Sequence, residues 1–518
     1  MKIISNIKHS LSGLFILTLI LSCSDTEKAS TTNELIKKVE TGLISSVYIA
    51  GEPTWSIEER MKHYGIPGAS IAVIHKGEIV WTKGYGVTDT ESKSPVTGKT
   101  LFHAALLAMP VTAYGALGLV EQQKVELDAN VNHYLKSWKV PENEFTKEHK
   151  VTLKNLLNHS AGFGLHAIQG YPKGEPVPTL TQVLNGTAPA KNIPVVLNKE
   201  PEESIYISAA GYAIAQQMMT DISGKKFPEL MHELVFQPLE MTNSTFNQTL
   251  STAQLNRTAT GYLTDGSVVK GKGHNYPVMA ANGIWSTAED LAKFVLNIQQ
   301  TLKGTSTKGL SKEMTELMLT PYGTSSYGPG FKYGLGMQLI DKQGETYLRH
   351  WGWNRGFFGQ IIAHKDKEFA VVVLTNSTYP GFNEEVTRAV ARAYDWENYV
   401  QVYQKKHVQL FLDGNYEKAL ESYKNILKQD PTNYAVRRSS LNRLGYYFLR
   451  KEQTTIAHDV FKVNTILYPE SAAVYDSYAE ACKELGKVEL AILNYSKSLE
   501  LNPENNNAKE MLTELQKK

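Results

Sequence analysis

Apolar and polar positions divide the chain into stretches of different character. Leu11 to Leu21 is a short apolar run preceded by Lys2 and Lys8. It falls short of the roughly 20 apolar residues that a membrane-spanning helix needs, and with its basic flank it reads as a signal peptide. The polar residues after it, to about Leu43, read as a tether that ends in a short helix. Strand signals begin with Gly68-Ala69-Ser70-Ile71-Ala72-Val73-Ile74 and Glu78-Ile79-Val80-Trp81. His75-Lys76-Gly77 between them is a hairpin turn, with Gly where positive φ is expected. A helical period runs from Met109 to Gln123, and two more strands are predicted over Gly356–Ala363 and Phe369–Leu374. Strands at both ends of this region with helices between them predict an α+β layer arrangement.

After Trp396 the strand signal disappears and the pattern becomes helical and repetitive. Ala419, Ala457 and Ala491 stand 38 and then 34 residues apart, and Pro431, Pro469 and Pro503 repeat the same two spacings. Small residues where paired helices touch, and Pro where the second helix stops, resemble tetratricopeptide repeats. Three such units are about the minimum for a stable stack.

At 518 residues the chain is too long for a single core and predicts about two to four domains. Its 42% hydrophobic and 20% charged residues are ordinary for a folded soluble protein. A formal net charge of +2, with no long Lys/Arg block, argues against a nucleic-acid surface. Ile20-Leu21-Ser22-Cys23 resembles the bacterial lipobox, which implies that Cys23 is acylated and that the mature chain sits on a membrane without crossing it. The other cysteine, Cys482, lies in a helical pattern and reads as a small core residue, so no intrachain disulfide is expected. The 14 histidines show neither H-x-x-x-H nor H-E-x-x-H spacing. No metal site and no cofactor are therefore expected.

The central region, from about Tyr48 to Tyr394, carries a series of landmarks in a recognisable order. They include Ile66-Pro67-Gly68, Lys83-Gly84-Tyr85-Gly86, Leu127-Asp128, Tyr134-Leu135 and Leu156-Leu157 before His159-Ser160-Ala161-Gly162. Pro238-Leu239 with Met241, Gly283-Ile284-Trp285-Ser286-Thr287, Tyr333-Gly334-Leu335-Gly336 and Asn376-Ser377 follow. Glu240 replaces a Gly in one of these landmarks. The series resembles the serine β-lactamase and penicillin-binding family. The resemblance implies an antiparallel sheet flanked by helices plus an all-helical lobe, here followed by the all-α repeat domain. The expected division is a signal peptide over 1–22, a tether over 23–45, the serine-hydrolase-like domain over 46–397 and the repeats over 398–518.

The same resemblance locates the chemistry. The family carries Ser-x-x-Lys at the start of a helix, where i and i+3 share a face and the Lys activates the Ser. Phe102-His103-Ala104-Ala105-Leu106-Leu107-Ala108-Met109-Pro110-Val111-Thr112-Ala113 aligns with that helix, and it holds Leu106 at the Ser position and Met109 at the Lys position. The family's Tyr-x-Asn falls on Ile207-Ser208-Ala209, so Ile207 and Ala209 replace the phenol and the amide. Its third motif persists as His350-Trp351-Gly352, with His350 and Gly352 as remnants. Leu and Met can be neither acylated nor protonated, and Ile cannot exchange a proton.

These substitutions read as a pseudoenzyme rather than an enzyme: a lipid-anchored protein of a bacterial envelope whose hydrolase fold binds or scaffolds. Its expected partners are a protein or peptide on the repeats and a small apolar or cell-wall-derived ligand in the remnant pocket. The alternative is a divergent esterase or peptidase that uses a relocated group. Ser208, Ser160, His103, Tyr206 and His350 are the candidates, and a Ser hydroxyl in hydrogen-bond reach of His350 or His103 would be its mark. His159-Ser160 resembles a structural landmark more than a catalytic pair.

Overall fold

A computed structural model of the protein describes residues 30–323 and 331–517. The expected signal peptide and Cys23 lie outside the described residues. No helix among the described residues is long and apolar enough to cross a membrane. The described chain divides into two compact units, Trp55–Tyr399 with the residues up to Leu43, and Val400–Lys518 with Ile44–Thr54.

The first unit is built on a seven-stranded sheet. The hairpin of β1 (Gly68–His75) and β2 (Glu78–Gly86) closes through Lys76 and Gly77, both at positive φ. Near the other end of the unit, β8 (Phe357–His364) and β9 (Phe369–Thr375) form a second hairpin, and β9 pairs antiparallel with β1 from Ala69 opposite Thr375 to His75 opposite Phe369. The order is β2-β1-β9-β8-β7-β6-β5, with β5 at Lys332–Tyr333, β6 at Gln338–Lys342 and β7 at Glu345–Asn354. Pattern reading alone misses β5, β6 and β7, in which polar and apolar residues are mixed.

Both faces of the sheet are covered. Ala370, Val372 and Leu374 of β9 join the main core, whereas Val371 and Val373, equally buried, point to the opposite face. On that face α1 (Ile57–Tyr64) and α5 (Gly381–Ala393) pack together, held by a forked ion pair from Arg60 Nε and Nη2 to Glu385 at 2.6 and 2.7 Å. The main-core side carries α4 (Ala288–Lys303) and a helical lobe built on α2 (Ala108–Glu121) and α3 (Ala209–Ser223). α2 is buried almost all round, as a helix hydrophobic on every side must be. A two-stranded ribbon, β3 (Phe102–Ala105) with β4 (Ile284–Ser286), leads directly into α2.

The second unit is all helical. The helices are α6 (Lys405–Leu412), α7 (Tyr416–Gln429), α8 (Arg438–Arg450), α9 (Thr454–Leu467), α10 (Ala472–Glu484), α11 (Val488–Leu501) and α12 (Asn506–Leu515). Pro431, Pro469 and Pro503 each stand two residues beyond the end of a helix, where a missing N–H stops propagation. Ala419, Ala457 and Ala491 are fully buried. At Gly445 a Cβ would lie 2.4 Å from the Phe461 ring, so only glycine lets α8 and α9 approach this closely. Cys482 is buried in this core.

One boundary differs from the sequence reading, which ended a tether at 45 and began the hydrolase-like domain at 46. Ile44–Thr54 belongs to the helical unit instead. Val47 and Ile49 are buried in its core, and Ile49 bridges Tyr403. Ala50 N–H donates to the Tyr403 carbonyl at 2.8 Å, and Tyr447 Oη donates to Glu52 at 2.7 Å. The partners lie some 350 or more residues away in the chain, so no local pattern can reveal the pairing.

Candidate functional site

The site forms where β3, the start of α2 and β7 meet. Ala105 ends β3 in the left-handed region, at φ 55°. A residue with a Cβ pays about 1–2 kcal/mol for that conformation. The kink throws the chain into a tight turn. Leu107 N–H donates to the Ala104 carbonyl at 3.1 Å and Met109 N–H to the Leu106 carbonyl at 2.9 Å. Leu106 and Met109 therefore project from one face, with Met109 only 1% exposed. β7 presses on the turn at Gly352, where a Cβ would lie 2.3 Å from the Leu106 nitrogen. The strand can reach position 106 only because residue 352 has no side chain.

Above this turn lies an open cavity of about 320 Å³. Leu106, Met109, Ile168 and Ala209 give it apolar walls, and Asn282, Asn354, Tyr276, His166, His274 and Arg355 add polar groups, with Trp353 beside them. The sequence reading placed Leu106, Ile207 and His350 around one space. The structure brings Leu106, Met109 and Ala209 to that space, but Ile207 and His350 are not among its lining residues. Ile207 is half-buried and offers its backbone carbonyl to His166 Nδ1 at 2.7 Å. The α3 N-terminus explains the split: Ser208 caps the helix by accepting from Ala210 N–H, so Ala209 is its first residue and Ile207 lies outside it.

His350 belongs to a buried chain of hydrogen bonds. Ser208 N–H donates to His159 Nδ1 at 3.2 Å, which leaves the His159 proton on Nε2 facing Tyr333 Oη at 3.3 Å. Tyr333 Oη in turn lies 3.0 Å from His350 Nε2. Burial holds both imidazoles far below the ordinary histidine value, at about 3, with their mutual repulsion adding at His159 and nearby Arg349 at His350. His103 is depressed to about 3 by the same cause, burial first, with His274 adding a little. Its Nδ1 accepts from Asn354 Nδ2 at 2.8 Å, and its ring sits between Tyr276 and Trp285. A neutral histidine is the only form such surroundings accept.

The Asn282–Asn354 pair is the polar feature that sequence reasoning missed. Asn282 Nδ2 donates to Asn354 Oδ1 at 2.9 Å, and Asn354 Nδ2 returns a bond to the Asn282 carbonyl at 3.0 Å. Asn354 lies two residues beyond Gly352 on β7, hence on the same face of the strand, which is the one signal that pointed to it. Gln216 of α3 fixes the turn that carries Asn282, donating to the Pro277 carbonyl at 3.1 Å and accepting from Ala280 N–H at 2.9 Å.

The candidate serines are engaged elsewhere. Ser208 Oγ donates to the Leu165 carbonyl at 2.8 Å, and only the backbone of this residue faces His159. Ser160 Oγ donates to Asn158 Oδ1 at 2.7 Å. Among the described residues no serine hydroxyl hydrogen-bonds a histidine, and no group of His, Cys, Asp and Glu could hold a metal ion. Tyr206 is exposed and does not line the cavity.

Residues 56–395 match the family model described as Beta-lactamase. The chain is 23% identical over 339 residues to the teichoic acid D-alanine hydrolase of Staphylococcus aureus strain MRSA252, covering 65% of this chain and 77% of that protein. Among solved structures, the octameric penicillin-binding protein homologue from Pyrococcus abyssi superposes with a TM-score of 0.55 at 22% identity, over 70% of this chain and 80% of that one. D-alanine carboxypeptidase AmpC from Burkholderia cenocepacia gives 0.55 at 19%, over 70% and 99%. The landmark series, the antiparallel sheet with its helical lobe and the matched residues agree: this chain belongs to the Beta-lactamase family.

Proposed function

We propose that this protein is a lipid-anchored envelope protein whose serine-hydrolase fold no longer catalyses and serves as a binding or scaffolding module. In this reading its C-terminal helices are tetratricopeptide repeats that recruit a protein or peptide. One observation carries the proposal: Leu106 and Met109 stand on the turn where the family places its nucleophile and base, at the wall of an open cavity. Loss of one member of a comparable nucleophile–base unit costs on the order of 10⁶ in turnover. Here acyl and proton chemistry are absent from both positions at once. The cavity remains open, which favours a binder over a filled scaffold. The lipobox-like Ile20-Leu21-Ser22-Cys23 and a relative named for teichoic acid support the envelope location. Pro-terminated helices with buried Ala at the repeat positions support the tetratricopeptide reading.

A second reading, a divergent hydrolase with a relocated nucleophile, is favoured by the name of that relative, a hydrolase. One experiment separates the two. The purified chain is incubated with a fluorophosphonate and with a reporter β-lactam, then analysed by intact-mass spectrometry. No covalent adduct is expected; an adduct on a serine overturns the binder reading.

A further inference from the structure

The sign of charge and the apolar content of the cavity narrow what it can hold. Among the described residues no Asp or Glu lines it, whereas Arg355 does. The Arg355 guanidinium is exposed and has no carboxylate within ion-pair distance among the described residues. Two acidic groups lie in the neighbourhood. Glu175 is paired to Lys191 at 2.8 Å, and Asp265 is an exposed loop carboxylate bonded by Ser267, whose acidity Arg355 raises slightly without forming an ion pair with it. The His274 imidazole, beside Arg355, is pushed below its usual value by burial and then by that arginine, so the guanidinium is the standing charge of the rim. The amide groups deeper in are committed to each other and to His103. Beside the polar groups of Gln169, His166, His274 and Tyr276, a ligand meets a cation at the rim, an exposed Trp353 ring and apolar walls of Leu106, Met109 and Ala209.

We propose that the cavity is a non-covalent receptor for an amphipathic monoanion, a carboxylate carrying a short aliphatic chain, with its head on Arg355 and its tail on Leu106 and Met109. This inference rests on the binder reading above. A liquid allots about 30 Å³ to a water-sized group, so 320 Å³ takes about ten non-hydrogen atoms, the size of octanoate. A guanidinium is the preferred partner for a carboxylate because its planar fork matches two oxygens. The methyl and thioether groups of the walls accept a flexible chain. The replacement of a reactive hydroxyl and amine by Leu106 and Met109 is thus a change of ligand class, from groups that react with a carbonyl to groups that solvate a hydrocarbon.

The test is calorimetric titration of the full chain with butyrate, hexanoate, octanoate and neutral octanamide. Affinity should rise about three- to fourfold per methylene. Octanoate should bind at least tenfold more tightly than octanamide, and Arg355→Gln, at an exposed position, should erase that difference by weakening octanoate more than octanamide. Absence of saturable octanoate binding, equal affinity for the amide, or an unaltered titration in Arg355→Gln overturns the proposal. Its failure is distinguishable from that of the binder reading. A serine adduct with the fluorophosphonate defeats the latter whatever octanoate does, and a silent octanoate titration without an adduct removes only this ligand class.

Discussion

Three imidazoles buried neutral make the first unit sensitive to acid. His103, His159 and His350 are 1%, 3% and 6% exposed, and each is held at about 3 against an ordinary value of 6.5. A depressed histidine binds its proton more readily in the unfolded chain. Its contribution is therefore fully present above pH 6.5 and is lost as pH falls from 6.5 toward 3. Between pH 7.5 and pH 4 the linkage integral gives about 3 kcal/mol for one such group. Three together approach the whole stability of a typical domain, about 5–15 kcal/mol. Carboxylates also titrate in this window, so the decisive quantity is a difference between variants. His103→Gln removes one titrating group and keeps an acceptor for Asn354 Nδ2. Urea unfolding followed by tryptophan fluorescence should show His103→Gln less stable than the parent at pH 7.5. The gap should close by about 3 kcal/mol at pH 4. A gap that stays constant across that range refutes the argument, as does an NMR titration in which His103 protonates near pH 6 in the folded state.

Other outcomes follow from the packing. Gly352→Ala should cost about 2–4 kcal/mol, because its Cβ meets the Leu106 backbone nitrogen; Leu106→Ala should not rescue it, which thermal unfolding of the double variant checks. Leu106→Ser with Met109→Lys should destabilise the first unit by about 2–5 kcal/mol and give no β-lactam turnover while Ile207 and Ala209 remain; nitrocefin hydrolysis by this variant would contradict the assignment of the second motif. Ile49→Ala should lower the stability of the helical unit by about 2–5 kcal/mol, because Ile49 is core there despite lying far from it in the chain. A fragment starting at residue 398 should accordingly unfold at lower temperature than one to which the peptide Ile44–Thr54 is added back, as read by circular dichroism at 222 nm.

The sequence alone determined what local chemistry determines. The β1–β2 hairpin was legible because Lys76-Gly77 is a turn signal between β-branched runs, and β8 and β9 because their residues are apolar on both faces. The prolines after α7, α9 and α11 announced where those helices stop. Leu106, Met109 and Ala209 could be placed at the site because their landmarks hold register along the chain. Tertiary structure decided the rest, since it depends on which distant surfaces meet. It set Ile207 and His350 outside the cavity lining, tied His350 to His159 through Tyr333, and paired Asn282 with Asn354 across 72 residues. It also drew Ile44–Thr54 into the helical unit. Periodicity records which face of an element is apolar; it holds no record of the partner that covers the face, nor of whether the space between them is left open.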